Sequence, residues 1–260
     1  MQFLTLGGDT FHIKSHLIAE APTVIFIHAL GADLRIFDAV TRTLADENIG
    51  SLRYDLRGQG LSDLGTPPAH IDDHAADVAA LMDATGVTRA TICGVSVGGM
   101  IALALWRGRP DLVGRLMLCC TGARIGTAES WTQRIQAVQQ GGTASVAEAV
   151  LQRWFPREEY LRGGGRVALC RNMLSNGSAE GYAATCAALR ESDLTGAAKT
   201  VDVPCLCVAG EHDGSTPPDF VRGLHALIPE SRFTVIAGAG HLPPLQRPEA
   251  FSRELMGFLS

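Results

Sequence analysis

The stretch that decides the fold is "ATICGVSVGGMIALALW", residues 90–106. It begins with a short apolar run, continues through the glycines around Ser96 and ends in a longer apolar segment. The first run lacks the polar–apolar alternation of a half-exposed strand, so it indicates a strand buried on both faces of a parallel sheet. The stretch therefore predicts a strand, a sharp turn at Ser96 and a helix.

The same alternation of strand and helix continues on both sides of this stretch. Strands are also predicted at 23–30, 50–56, 115–121, 205–211 and 233–239, and helices at 35–47, 71–86, 98–110, 218–229 and 248–259. Before them, "FLTLGGDTFHIKSHL" (3–17) predicts a hairpin that turns at Gly7 and Gly8 and adds an antiparallel edge. This order favours an α/β fold, a mostly parallel eight-stranded sheet with helices on both faces.

The alternation stops between residues 122 and 203. This region is helix-like and interrupted by glycine-rich turns, and it contains two of the three tryptophans. We expect residues 1–121 and 204–260 to form the core and residues 122–203 to form a helical cap over one end of the sheet. The alternative is that the inserted helices are merely structural.

Composition excludes several classes of protein. The chain has 260 residues, of which 46% are hydrophobic and 19% charged, which is a globular composition rather than a disordered one. Its formal net charge of −5 argues against nucleic acid as a partner. No apolar run approaches the roughly 18 residues that a membrane span needs, and the first residues lack the pattern of a secretory signal.

The seven cysteines are an odd number, and several lie inside apolar runs. Buried, reduced thiols in a cytoplasmic protein are the simplest interpretation. None of the cysteines has the spacing of a zinc site. We therefore expect a cytoplasmic location and no structural metal.

Ser96 has the surroundings of a catalytic nucleophile. A serine on a sharp strand-to-helix turn is strained, and side chains two positions away would collide with neighbouring backbone, which favours Gly94 and Gly98. The amide of Val97, at the start of the helix, can donate to a developing oxyanion. The alternative is a glycine-rich structural turn with an incidental serine.

A serine hydroxyl needs a base, and the base needs a carboxylate to orient it. Of the eight histidines, His241 follows the last strand in the small-residue loop "IAGAGHLPP", at the end of the sheet where ligands bind. The segment "CLCVAGEHDGSTPP" places two acids after the preceding strand. We favour Asp213 as the orienting acid, with Glu211 as the alternative. The second oxyanion donor is expected to be the Leu30 amide, which Gly31 allows to approach a substrate closely.

These residues resemble the α/β-hydrolase superfamily, in which nucleophile, acid and base follow in this chain order. The loop "YDLRGQGLSD" (54–63) is similar to the family's Asp-x-Arg-Gly-x-Gly-x-Ser loop, where Asp55 and Arg57 are usually structural. A narrower resemblance, to 3-oxoadipate enol-lactonases, rests on "HALGADLRIFDAV", "CGVSVGGMIA", "ARIGTAESW", "RWF" and "YAATCAALRESDL". Two positions depart from that pattern: "HALG" replaces Asn-Ser-Leu-Gly, and Val97 replaces methionine.

The resemblance implies a chemistry that belongs to bacterial degradation of aromatic compounds. The substrate would be a five-membered unsaturated lactone with a short carboxylate arm, opened to 3-oxoadipate by a Ser96–His241–Asp213 acyl-enzyme mechanism. No metal or organic cofactor would be needed, and the partner would be this small molecule rather than a membrane or a nucleic acid. The oligomeric state is left open.

An arginine suits the carboxylate arm because its fork binds a carboxylate through two parallel hydrogen bonds. Arg134 is one helical turn from Trp131, which could cover the ring, and Trp154 is another candidate wall. The remaining candidates for the anion are Arg35, Arg124, Arg153 and Arg157. Both tryptophans could instead be packing residues within the inserted helices.

Two other functions fit the same residues. One is a carboxylesterase or a cofactor-free perhydrolase-type enzyme, and the other is a small-molecule receptor on a hydrolase fold. Faster hydrolysis of simple aryl esters would favour the first, and slow single turnover with tight product retention would favour the second.

Overall fold

The computed structural model describes residues 2–68 and 70–260, which form one eight-stranded sheet with helices on both faces. The strands, in chain order, are β1 (Gln2–Leu6), β2 (Asp9–His16), β3 (Thr23–Ile27), β4 (Gly50–Tyr54), β5 (Ala90–Val95), β6 (Val113–Cys119), β7 (Cys205–Gly210) and β8 (Arg232–Ile236). Their order in the sheet is β1-β2-β4-β3-β5-β6-β7-β8. Strand β2 pairs antiparallel with β1 and β4, and the other pairs are parallel. The predicted fold class is confirmed.

Helices fill the connections between the parallel strands, and two more follow β8. Outside the region between β6 and β7 they are α1 (Asp38–Asp46), α2 (Ile71–Thr85), α3 (Val97–Gly108), α10 (Pro218–His225), α11 (Pro243–Gln246) and α12 (Pro248–Leu259). The predicted helix 218–229 is too long. After His225 the amides of Leu227 and Ile228 bond to carbonyls three residues back, so the helix tightens and ends.

The helices between β6 and β7 confirm the helical character of the insertion. They are α4 (Ala128–Gly141), α5 (Ala144–Trp154), α6 (Arg157–Arg162), α7 (Gly165–Ser175), α8 (Ala179–Arg190) and α9 (Thr195–Lys199). Helix α4 packs against α8, and α5 packs against α7. We call α4 to α9 the inserted helices. The division into a core and a separate cap at residues 121/122 and 203/204 stays a prediction.

The centre of the sheet is buried on both faces. Every residue of β4, β5 and β7 is buried, because helices cover these strands above and below. This burial explains why β5 and β7 are almost wholly apolar instead of alternating, whereas β4 also buries Ser51 and Arg53. Because β3, β5, β6, β7 and β8 are neighbours that pair in parallel, their carboxyl ends lie at the same edge of the sheet.

The loop after β4 holds two charged residues in structural roles, as the resemblance implies. Asp55 accepts hydrogen bonds from the amides of Leu34 and Leu61, both at 2.9 Å, and its carboxylate lies 2.8 Å from His12 Nδ1. Arg57 bridges Asp77 and Asp9. Neither residue belongs to the cavity described below.

Two findings concern the environment of the chain. In the part of the chain that the structure describes, no helix is both long enough and apolar enough to cross a bilayer. All seven cysteines are buried and free. The cytoplasmic location stays a prediction.

Candidate active site

Ser96 lies at the junction of β5 and α3 in a strained conformation. Its φ of 58° and ψ of −119° are sparsely populated for a residue with a side chain. The backbone is held on both sides, because the Ser96 amide donates to the Cys119 carbonyl at 2.9 Å and the Thr121 hydroxyl donates to the Ser96 carbonyl at 2.6 Å. Strain that the surroundings hold in place is typical of a nucleophile turn.

The glycines around Ser96 have the predicted steric reason. A Cβ atom on Gly94 would collide with the backbone of Gly98, and one on Gly98 would collide with the carbonyl of Ile27. The turn therefore brings helix α3 against both β5 and β3. A larger residue at either position would push the helix away from the sheet.

Asp213 and His241 form a buried pair. Asp213 follows β7 and His241 follows β8, and the His241 Nδ1 and Asp213 Oδ2 atoms are 2.8 Å apart. The other carboxylate oxygen of Asp213 accepts the amides of Ser215 at 2.7 Å and Thr216 at 3.0 Å. The Thr216 hydroxyl also donates to Oδ2 at 2.7 Å. These donors fix the carboxylate so that it can orient the imidazole.

The electrostatics of this pair favour an ionised carboxylate. Burial alone would raise the pKa of Asp213, but the adjacent His241 and the donors from Thr216 outweigh it and hold the pKa below its ordinary value. Asp213 therefore stays charged at neutral pH and can stabilise an imidazolium. The alternative acid, Glu211, is half exposed and accepts the Gly238 amide at 2.7 Å instead.

Ser96 and His241 line one cavity of about 170 Å³. In residues 2–68 and 70–260 no hydrogen bond joins the Ser96 hydroxyl to the imidazole. Contacts of this kind are often long before a substrate binds and tighten in the complex. A larger cleft of about 520 Å³, beside His12 and Asp33, contains neither residue.

The two residues expected to donate to the oxyanion lie beside Ser96 and its cavity. Leu30 lines the cavity, and Val97 directly follows Ser96 at the start of α3. Across the described ranges, neither backbone amide donates to another protein group. Gly31 has a φ of 79°, which favours glycine at this turn after β3.

All three predicted substrate-binding residues line this cavity. Trp131 is held there by a hydrogen bond from its Nε1 to the Ile125 carbonyl at 2.7 Å. Arg134 Nη1 donates to the Tyr182 hydroxyl at 3.0 Å. The Trp154 ring stacks on His241, with 6.1 Å between the ring centroids, and the Trp154 carbonyl accepts the His241 amide.

The structure separates the candidate arginines. Arg134 and Arg153 line the cavity, and Arg35, Arg124 and Arg157 do not. Arg153 is exposed. Partial desolvation of its guanidinium group, and then the nearby positive charge of Arg134, lower its pKa. No carboxylate among the described residues forms an ion pair with either cavity arginine. Within residues 2–68 and 70–260, the two cavity arginines therefore have no carboxylate partner.

Two of the contributing residues were missed in the sequence. Thr216, which binds Asp213, had a visible signal, because the sequence "DGST" (213–216) favours a turn in which the acid accepts downstream amides. Tyr182, which accepts a hydrogen bond from Arg134, had no such signal in the sequence. Its position depends on how α4 and α8 pack, and local sequence does not specify that.

One group near the pair has the residue types of a metal site. Cys120, Asp213 and His241 have potential ligand atoms within 4.8 Å of one another. Burial, followed by the negative charge of Asp213, raises the pKa of the Cys120 thiol well above its usual value. Metals bind the thiolate, so the arrangement fits a packed thiol rather than a metal centre.

The chain is similar to known proteins over nearly its whole length. The model of the "Alpha/beta hydrolase family" matches residues 24–254. A 3-oxoadipate enol-lactonase from Acinetobacter baylyi is 32% identical, over 90% of this chain and 87% of its own length. The solved enol-lactonase from Burkholderia xenovorans LB400 has a TM-score of 0.94 at 32% identity, covering 99% of both chains. A thermophilic esterase from Thermogutta terrifontis, solved with malate bound, has a TM-score of 0.92 at 26% identity, covering 100% of this chain and 98% of its own.

Proposed function

Because this chain belongs to the α/β-hydrolase family, we propose that it opens a small lactone that carries a carboxylate, with 3-oxoadipate enol-lactone as the specific substrate. In this proposal Ser96 is the nucleophile, His241 the general base and Asp213 the orienting acid. The Leu30 and Val97 amides hold the oxyanion. Similarity to two enol-lactonases, from Acinetobacter baylyi and Burkholderia xenovorans, supports the choice of lactone.

The observation that carries the proposal is the positive charge beside the serine, which no carboxylate in the described part of the chain balances. Arg134 and Arg153 line a cavity of only about 170 Å³ together with Ser96 and His241. Two guanidinium groups that pair with no carboxylate among the described residues favour an anionic ligand, and a carboxylate can accept from such a group through two hydrogen bonds. Malate, the ligand of the Thermogutta terrifontis esterase, is likewise a small carboxylate.

Acylation begins when His241 takes the Ser96 proton and Ser96 Oγ attacks the ring carbonyl carbon. The oxyanion forms opposite the Leu30 and Val97 amides, and losing one such donor typically costs about 3 kcal/mol of transition-state stabilisation. The ring C–O bond then breaks, and His241 returns its proton to the leaving enol oxygen. The enol tautomerises to a ketone, which disfavours closure of the ring.

Deacylation reuses the same groups. Water, deprotonated by His241, attacks the ester carbonyl, and the second oxyanion occupies the same two amides. Collapse of this intermediate breaks the bond to Ser96 Oγ, which regains its proton from His241. The product leaves as 3-oxoadipate with two carboxylates.

The experiment compares kcat/KM for the enol-lactone, its methyl ester and phenyl acetate. We expect the acid lactone to exceed its methyl ester on the order of 100-fold, because only the acid can pair with the arginines. Arg134→Met should lower kcat/KM for the acid on the order of 10–100-fold and leave that for the methyl ester nearly unchanged.

Arg157→Met, which changes an exposed arginine outside the cavity, is the matched control and should resemble wild type. Equal losses on the acid and its methyl ester in Arg134→Met would remove the proposed carboxylate contact. Faster hydrolysis of phenyl acetate than of either lactone would favour a carboxylesterase, the second candidate, which the Thermogutta terrifontis likeness also supports.

A further inference from the structure

Gln59 makes a buried bridge beside the turn that carries Leu30. Its side chain lies in the loop after β4 and is 5% exposed. The Gln59 Oε1 atom accepts the Gly31 amide at 2.7 Å, and Nε2 donates to Thr185 Oγ1 at 3.3 Å. One amide side chain thus joins the turn after β3 to helix α8.

The turn at Gly31 has little room to move on its other side. Ala32 donates to the Ala29 carbonyl at 3.0 Å, which closes the turn around Leu30 and Gly31. A Cβ atom on Gly31 would lie 2.5 Å from the Leu174 side chain and 3.0 Å from the Tyr182 ring. The inserted helices therefore press on the turn while Gln59 holds its amide.

Helix α8 is also fixed to the loop that carries Gln59. Gly181, in the first turn of α8, approaches the backbone of Gly58 so closely that any side chain there would collide with it. Thr185, one turn further, is fully buried and also donates to the Gly181 carbonyl at 3.1 Å. The loop and the helix meet as one packed unit.

The same helix reaches the substrate side of the cavity. Tyr182, three residues before Thr185, accepts the hydrogen bond from Arg134. Helix α8 is therefore joined to the Leu30 turn through Thr185 and Gln59, and to Arg134 of the cavity through Tyr182. A shift of α8 would displace both.

We infer that Gln59 is a positioning residue that aligns the Leu30 amide for the oxyanion by bridging its turn to α8. This inference rests on the proposed function, because it requires an oxyanion at Ser96. The bridge makes alignment of the donor depend on the docking of α8, and therefore on the helix that also holds Arg134. Without the bridge the Leu30 turn keeps its packing but loses the hydrogen bond at its central amide.

The test uses Gln59→Met, which keeps the length of the side chain and removes both hydrogen bonds. We expect kcat to fall on the order of 10–100-fold with KM within about threefold, because the lost contact acts on the transition state. Gln59→Glu can still accept from Gly31 and should recover part of that loss. Gln133→Met, at an exposed glutamine of α4, should resemble wild type.

A second readout separates alignment from stability. An aryl trifluoromethyl ketone forms an oxyanion when a serine adds to it, so its Ki should rise in Gln59→Met by a factor similar to the loss in kcat. The Kd of levulinate, a carboxylate that forms no oxyanion on binding, should stay within about twofold. An unchanged kcat and an unchanged Ki in Gln59→Met would overturn the inference, whether or not the melting temperature falls.

Failure of the proposed function would appear differently. If Ser96 is not the nucleophile, wild-type protein will give no hemiketal signal with the ketone in ¹⁹F NMR spectra. If the protein is an esterase rather than a lactonase, the comparison of Gln59→Met with wild type can be made on phenyl acetate. The first result would overturn both the proposed function and the role of Gln59, whereas in the second case turnover of phenyl acetate decides the role of Gln59.

Discussion

At the scale of single residues, the proposed mechanism requires one acid to orient His241. Asp213 and Glu211 are two residues apart, but only Asp213 has its carboxylate 2.8 Å from the imidazole. Asp213→Asn should lower kcat by roughly 10³–10⁴-fold, because an amide favours the wrong imidazole tautomer. Glu211→Gln, the matched control, should keep kcat within about twofold since that side chain faces Gly238.

The measurement is steady-state turnover of the enol-lactone, with circular dichroism to confirm folding of each variant. A large loss in Glu211→Gln and none in Asp213→Asn would reverse the assignment.

The candidate residues differ in how far the sequence can predict them. Ser96, Asp213 and His241 could be predicted as catalytic candidates because each follows a predicted strand, and the carboxyl ends of parallel strands meet at one edge. Gln59 could not, because its partners lie 28 and 126 residues away and no local pattern marks a buried bridge.

At the scale of elements, the junction of β5 and α3 depends on the absence of a side chain at Gly98. A Cβ there would meet the Ile27 carbonyl, whereas one on Gly108, at the end of the same helix, would meet nothing within 4 Å. Gly98→Ala should reduce the free energy of unfolding by about 1–3 kcal/mol through overpacking. Gly108→Ala should leave it unchanged or raise it slightly.

Urea denaturation of both variants beside wild type measures this difference. Equal stability of Gly98→Ala and Gly108→Ala would show that α3 is not held against β3 at this contact.

Element boundaries were predictable where burial dictates composition. Strands β5 and β7 are almost wholly apolar because helices cover both of their faces, and Gly86 ends α2 in the left-handed conformation, at a φ of 73°. The inserted helices were predictable as helices. Their convergence, which brings Tyr182 to Arg134, was not, because several packings would bury their apolar faces equally well.

At the scale of the whole molecule, His74 links folding to pH. It is fully buried between α2 and α8, with Nε2 3.5 Å from Thr185 Oγ1, and its Nδ1 has no partner in the described part of the chain. Burial first, and then the positive charge of Arg57, lowers the pKa of His74 to about 4, against 6.5 for the unperturbed group. The unfolded chain therefore binds this proton more readily than the folded protein does.

The sign of the effect follows from that difference. The contribution of neutral His74 to the stability of the folded protein is fully present above pH 6.5 and is lost as the pH falls from 6.5 towards 4. Between pH 7 and pH 5 this group alone should lower the free energy of unfolding by about 2 kcal/mol.

His74→Gln should lose correspondingly less over the same interval. His16→Gln, at an exposed histidine of β2, should follow wild type. Urea denaturation at pH 7 and pH 5 measures the free energy of unfolding of each variant. An identical pH dependence of this free energy in wild type and His74→Gln would refute the role of His74.

The proposed function requires Ser96 to be the activated nucleophile of this molecule. The most direct measurement is peptide mass spectrometry after treatment with diethyl p-nitrophenyl phosphate, which phosphorylates an activated serine. We predict one diethylphosphoryl group per chain, located on Ser96, with loss of lactone hydrolysis in proportion to labelling and no label in Ser96→Ala. Labelling of another residue, or full hydrolytic activity in Ser96→Ala, would contradict the claim.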